Sequence, residues 1–231
     1  ELRLEDYHRS LLRLVYRLLF LFVAEDRGLL QDPAADQVAL QRYRDYFSTG
    51  RLRALARKRR GARHTDLWQG LQLVISGLGD ERGLPELGLP GLGGIFNHEP
   101  IDVVIGQRLP NEALLTAIRR LSVVQPKNSP PRIVDYRNLG AEELGSIYES
   151  LLELVPRHDR LGRIFTLENL AGNDHKTSGS YYTPTSLIDL VLDQALDPLL
   201  DEAEKAKDPE QALLAMTICD PACGSGHFLV A

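Results

Sequence analysis

A mainly α-helical module followed by the opening of an α/β unit is the fold class that this sequence predicts, on three observations. Over residues 4–121, apolar side chains recur at three- and four-residue spacing, the period of amphipathic helices. Near the other end, the apolar run from Leu213 to Cys219 meets an acidic residue, a small-residue loop and a new helical start, a strand–loop–helix pattern. The 231 residues are 43% hydrophobic and 26% charged, a composition that can bury a core and is too apolar for disorder.

The elements follow in order. Residues 4–27 carry Leu4, Leu11, Leu12, Val15, Leu18, Leu19, Phe22 and Val23 on one face and Arg9, Arg13 and Arg17 on another. Gly28 is placed to end that helix. Further helices are predicted over Val38–Phe47, Arg51–Arg60 and Thr65–Ile75, the last with Thr65 or Asp66 as cap. Residues 76–94 hold seven glycines and two prolines and read as an irregular connection. A phosphate-cradling loop would need a strand before it, a helix after it and a Gly-Lys-Ser/Thr ending, none of which is present. Asn111–Leu121 is predicted as a helix with Asn111 as N-cap and Ala113, Leu114, Ala117, Ile118 and Leu121 inward. Lys127–Pro131 reads as a turn, and a helix within 135–154 is ended by Pro156. A short strand is expected at Arg163–Leu167 and a Gly/Ser-rich turn at Thr177–Ser180. Pro184 opens a helix running to about Leu200. A charged loop then spans Asp201–Glu210, and Leu213–Cys219 fits a buried strand with Cys219 as a small core residue.

Charge is unevenly spread. Residues 1–64 balance at +6 and residues 65–231 at −11, giving the net −5. Arg51, Arg53, Arg57, Lys58, Arg59, Arg60 and Arg63 fall within thirteen residues that hold no acid. Such a cluster is a candidate contact for nucleic-acid phosphates, with a solvated helix face as the plainer alternative. The apolar stretch Leu11–Ala24 is interrupted by Arg13 and Arg17, so no membrane partner is expected. No leader pattern opens the sequence, and two cysteines suit a reducing compartment, so the expected location is the cytoplasm. Cys219, Cys223 and six scattered histidines make no metal-ligand set, so no metal is expected.

The chemistry-bearing segment is Cys219-Asp220-Pro221-Ala222-Cys223-Gly224-Ser225-Gly226-His227-Phe228-Leu229. Gly224 and Gly226 leave the backbone open to close approach by a ligand. An acidic residue at the strand end and the missing third glycine disfavour a dinucleotide. They suit a ligand with a cationic amino group and no pyrophosphate, such as S-adenosyl-L-methionine (SAM).

This segment resembles motif I, the SAM-binding motif, of adenine-N6 DNA methyltransferases of type I, type IIG and phage-exclusion systems. Gly179-Ser180-Tyr181-Tyr182-Thr183-Pro184 resembles their motif X, and motif X before motif I is the order of the gamma group. Two softer likenesses are Leu144-Gly145-Ser146-Ile147-Tyr148-Glu149-Ser150-Leu151-Leu152 and the helix ending Phe22-Val23-Ala24-Glu25-Asp26-Arg27. The resemblance implies a helical N-terminal module over residues 1–155. It further implies that residues 156–231 begin an α/β Rossmann-like SAM-dependent methyltransferase domain, incomplete at Ala231. By the same resemblance Asp220 holds the methionine amino group, and Gly224 and Gly226 line the methionine part. Pro221, Ala222 and Ser225 shape the loop, Tyr182 and Thr183 close the pocket, and Pro184 fixes the turn into the next helix.

The family's Asn/Asp-Pro-Pro-Tyr/Phe loop, which receives the target amino group of a base flipped from the duplex, does not occur in the 231 residues. The expectation is therefore an N-terminal piece of a longer enzyme, inactive alone. The acid-x-Lys pair of a metal-dependent nuclease occurs once, at Asp174-His175-Lys176, in what reads as a loop, so no nuclease is expected here. The implied function is methyl transfer to adenine N6 of double-stranded DNA in restriction–modification or phage defence, with other subunits of such a complex as partners. The alternatives are a non-catalytic helical interaction module, or a SAM-dependent methyltransferase of RNA or protein.

Overall fold

The computed structural model describes residues 3–230 except Asn128, Glu153, Arg160, Arg163, 170–182, Ala222, Gly224 and Ser225. The side chains of Ala141, Glu142, Tyr148, Glu149, Asn169, His227 and Val230 also lie outside the described set. By packing, the chain divides into two units: Glu1–Asn138 with Pro156–Thr166, and Leu139–Val155 with Leu167–Ala231. Among the described residues no helix is long and apolar enough to cross a membrane.

The first unit is a cluster of helices. Helix α1, Leu4–Asp26, buries Leu12, Leu18, Leu19, Leu21 and Phe22, as its periodicity predicts. Gly28 ends it at φ +69°, with the Leu29 N–H donating to Ala24 O and the Gly28 N–H to Glu25 O, a left-handed cap that requires glycine. The second face is not left to solvent. Arg17 is 1% exposed and Arg13 half-buried, and both reach the loop after residue 94. There Arg17 donates to Ile95 O and Asn97 O as well as to the Asp102 carboxylate.

Helix α2, Gln37–Arg42, continues into a π-helical turn, Tyr43–Phe47, closed by the Ser48 N–H on Tyr43 O at 2.9 Å. Helix α3, Thr49–Lys58, starts behind Ser48, whose hydroxyl accepts from the Arg51 N–H. Helix α4, Asp66–Gly79, extends one turn beyond the expected end, into the glycine-rich run. The remainder of that run folds back on itself through a Leu84–Leu89 bridge, with Leu87, Leu89 and Phe96 buried. Gly77 lies so close to Leu84 that a Cβ would meet its side chain at 2.2 Å, so here glycine serves packing.

Helix α5, Asn111–Ser122, buries Asn111, Leu114, Leu115, Ile118 and Ser122. Its inward face is therefore rotated from the expected one, with Ala113 and Ala117 exposed and Leu115 inside. Large branched side chains take the core and alanines are left to solvent, because area removed from water decides the rotation. Strands β1, Val123–Val124, and β2, Arg132–Ile133, pair antiparallel around the expected turn.

Helix α6 is Ala141–Leu152. Pro156 does not end it; that residue lies inside β3, Leu154–Asp159, which pairs with β4, Ile164–Asn169. A two-stranded pair leaves edges open, and an edge accommodates proline's missing N–H. In the second unit the single helix expected from Pro184 to Leu200 is two, α7, Thr185–Ala195, and α8, Asp197–Glu204. Pro198 cannot continue the hydrogen-bond ladder and restarts the helix in its first turn. The charged loop after it contains α9, Pro209–Leu214, opened by the Asp208 carboxylate accepting from the Gln211 N–H at 3.1 Å.

The strand expected at Leu213–Cys219 does not form. Leu213 and Leu214 close α9, residues 216–220 are irregular, Ile218 is 64% exposed and Cys219 is exposed. A strand exists only against a neighbouring strand, and among the described residues none pairs with this run. The α/β layer implied for this region is accordingly not among the described elements.

Candidate cofactor loop and basic strip

Asp220 follows the irregular run and is half-buried, while Pro221 and Cys223 are exposed. The chain then turns tightly: the Gly226 N–H donates to Cys223 O at 2.8 Å and the Leu229 N–H to Gly226 O at 3.0 Å. Gly226 stands at φ +78°, where a side chain is strained, and the nearest atom to a Cβ placed there is Cys223 Sγ at 3.9 Å. Backbone conformation, and no crowding, therefore calls for glycine at this position. The turn delivers the chain into α10, His227–Val230. Ala222, Gly224 and Ser225 lie outside the described residues.

On the motif X side, Thr183 is half-buried and Pro184 is the exposed N-cap of α7. The Pro184 carbonyl accepts from the Leu187 and Ile188 N–H groups at 2.9 and 3.2 Å, so proline opens the helix at no loss of a donor. Tyr182, the Thr177–Ser180 turn and Asp174–Lys176 lie outside the described residues. The described parts of the loop are a half-buried carboxylate, Asp220, followed by a turn closed at Gly226.

The seven basic residues of 51–63 separate into two kinds. Arg53 is a core residue, corrected from a candidate phosphate contact. It donates to both oxygens of Asp26, with one bond at 2.9 Å, and lies 5.0 Å from the Phe22 ring centroid and 5.7 Å from that of Tyr136. Burial works against its charge, but the hydrogen bond and charge of Asp26 outweigh that and raise its pKa. Arg51 is half-buried and donates to Tyr46 O at 3.2 Å. Arg57, Lys58, Arg59, Arg60 and Arg63 are all exposed.

α3 ends at Lys58, Arg59 is extended, and the residues that follow it in this strip lie against α5. Arg119 holds that strip by donating to Ala56 O and Arg59 O, and the N–H groups of Glu112 and Asn111 donate to Ala62 O and His64 O. Gly61, at φ +98°, lies where a Cβ would meet the Glu112 backbone at 2.6 Å. The role of Arg119 has no local signal in the sequence, since its partners lie some sixty residues away.

Searches of curated proteins and of solved structures give no match. Residues 156–231 match the model of the N-6 DNA methylase family, so the segment that carries Thr183, Pro184 and the Asp220–Gly226 loop is similar to an adenine-N6 DNA methyltransferase.

Proposed function

We propose that this chain carries the cofactor-binding opening of a SAM-dependent methyltransferase that methylates adenine N6 in DNA, in a gamma-type enzyme of the type IIG or phage-exclusion kind. The observation that carries the reading is the Asp220-to-Gly226 turn into α10 inside the segment that matches the N-6 DNA methylase family. SAM supplies an electrophilic methyl group on a sulfonium. Asp220 would hold the methionine ammonium by a charge-assisted hydrogen bond and so orient the cofactor. By the motif resemblance Gly224 and Gly226 would line the methionine part, with Pro221, Ala222 and Ser225 shaping the loop. By the same resemblance Tyr182 and Thr183 would close the cofactor pocket, and Pro184 would fix the turn into α7.

In enzymes of this kind the target base is received by an Asn/Asp-Pro-Pro-Tyr/Phe loop, so the role assigned to these residues is binding of the cofactor. The expected setting is the cytoplasm, within restriction–modification or phage defence. Isothermal titration of SAM into the protein tests the reading. The expected result is binding that Asp220→Ala weakens at least tenfold, since removing a charged hydrogen-bond partner costs roughly 1.5–3 kcal/mol. Equal affinity in Asp220→Ala, in a protein whose circular dichroism is unchanged, would overturn the site.

A further inference from the structure

Five cations close together in the chain lie on the first unit with no counter-charge paired to them among the described residues. Arg57, Lys58, Arg59, Arg60 and Arg63 are exposed, and none forms an ion pair or side-chain hydrogen bond among the described residues. Glu112, whose N–H bonds Ala62 O, pairs with none of them. Elsewhere in the same unit Arg3 pairs with Asp6 and Arg13 with Glu99.

Helix electrostatics account for only part of the cluster. Basic residues in a last turn complement the negative end of a helix, and Arg57 and Lys58 occupy that position in α3. Arg59, Arg60 and Arg63 lie beyond the helix and have no such reason to be there. Their backbone is also held in place, by Arg119 at Ala56 and Arg59 and by the first turn of α5 at Ala62 and His64. Like charges held near one another repel, so keeping them together without counter-charges carries a cost that an incoming polyanion removes. Because the backbone is already fixed, less ordering is lost when a partner binds.

We propose that the Arg57–Arg63 strip is a phosphate-contacting surface for duplex DNA. The choice of DNA among polyanions rests on the methyltransferase reading. The contacts are to the phosphodiester backbone and carry no base specificity, so they position the duplex and leave sequence choice to other parts of the protein.

The test is fluorescence anisotropy of a labelled duplex titrated with the protein over a range of salt concentrations. Each phosphate neutralised adds about 0.9 to the slope of log affinity against log salt. Replacing all five residues by Gln is expected to lower that slope by roughly 4.5, and Arg59→Gln with Arg60→Gln alone by roughly 1.8. Circular dichroism is expected to be unchanged, since none of the five side chains holds the fold together. The control is Gln at Arg82, Lys127 and Arg132, exposed cations of the same unit outside the strip. An unchanged slope in the strip variants, or an equal fall in the control, overturns the proposal. Tighter strip-dependent binding to an RNA hairpin or to phosphatidylserine vesicles than to duplex DNA overturns it as well. SAM titration of the same preparations separates the two readings. SAM bound with an unchanged slope removes the strip and leaves the methyltransferase, whereas a strip-dependent slope without SAM binding does the reverse.

Discussion

The guanidinium of Arg17 and the carboxylate of Asp102 form a two-pronged ion pair at 3.0 and 2.8 Å, with side chains 1% and 2% exposed. It ties the middle of α1 to the loop that precedes α5. Two charges are taken out of water, and the arrangement holds because Asp102 also accepts from Arg13 and from the Glu99 N–H.

Removing one member of this pair leaves a buried charge without its counter-charge. Asp102→Ala is expected to destabilise the first unit by about 3–5 kcal/mol, read from urea unfolding. A loss under about 1 kcal/mol would show that water reaches the site. Burial raises the Asp102 pKa, but the bonds from Arg17, the Glu99 N–H and Arg13 outweigh it and leave the carboxylate below its ordinary value. The folded pKa is thus below the unfolded one. The pair's contribution is fully present above about pH 4 and is lost as pH falls through the folded value, so Asp102→Asn removes that part of the acid sensitivity.

Asn111 caps a helix other than its own. Its Oδ1 accepts from the Leu67 N–H at 3.2 Å, and its Nδ2 donates to Asp66 at 2.8 Å, both in the first turn of α4. That hydrogen bond is the main reason Asp66 sits below the usual carboxylate range. Asn111→Ala is expected to cost about 1–2 kcal/mol, as the loss of an N-cap does. It should also return the Asp66 titration, followed by carboxylate NMR, towards that of a free aspartate.

Two phenols report on the α1–α3 junction. Tyr43 donates to Glu25, which also accepts from the Thr49 and Gly50 N–H groups at 2.7 Å each; Tyr136 donates to Leu121 O. Burial first, then the charge and hydrogen bond of Glu25, push Tyr43 well above its usual value, and burial pushes Tyr136 up to about 12. Folded values above the unfolded one mean stability that is complete below about pH 10 and falls as pH rises beyond it. Ultraviolet titration is expected to show two tyrosines that ionise above the usual tyrosine range. Glu25→Gln should lower the Tyr43 midpoint and leave that of Tyr136 in place.

Gly226 is the residue of the cofactor loop whose conformation is most demanding. Placing a side chain at φ +78° costs about 1–2 kcal/mol. If the loop must keep this turn to hold SAM, Gly226→Ala weakens SAM by about tenfold, equivalent to ~1.4 kcal/mol. Unfolding of the first unit should be unaffected, and a titration showing wild-type affinity would separate the turn from cofactor binding.

Much of the helical unit was legible in the sequence, because a 3.6-residue period and Gly28 are local signals. The Asp208-Pro209 start of α9 and the break at Pro198 were equally local, and were hidden only by the charge and the apolar run around them. The strand at 213–219 was not decidable there, since a strand depends on neighbours that no local pattern supplies. For the candidate site, the Asp220–Gly226 loop was legible as a motif, and Gly226 takes the left-handed backbone that such a turn needs.

By itself, then, the sequence determined which segments coil and where glycine must turn the chain, because backbone sterics and apolar periodicity act over a few residues. Only the tertiary structure decided which charges are spent on the fold. Arg17, Arg53 and Arg119 look no different in sequence from Arg57, Arg59 and Arg60. The first three are drawn inward by Asp102, by Asp26 and the aromatic faces, and by the carbonyls of Ala56 and Arg59. The others meet no partner among the described residues and remain in solvent. Whether a charge is buried depends on what lies opposite it, and that is settled by contacts between residues far apart in the chain.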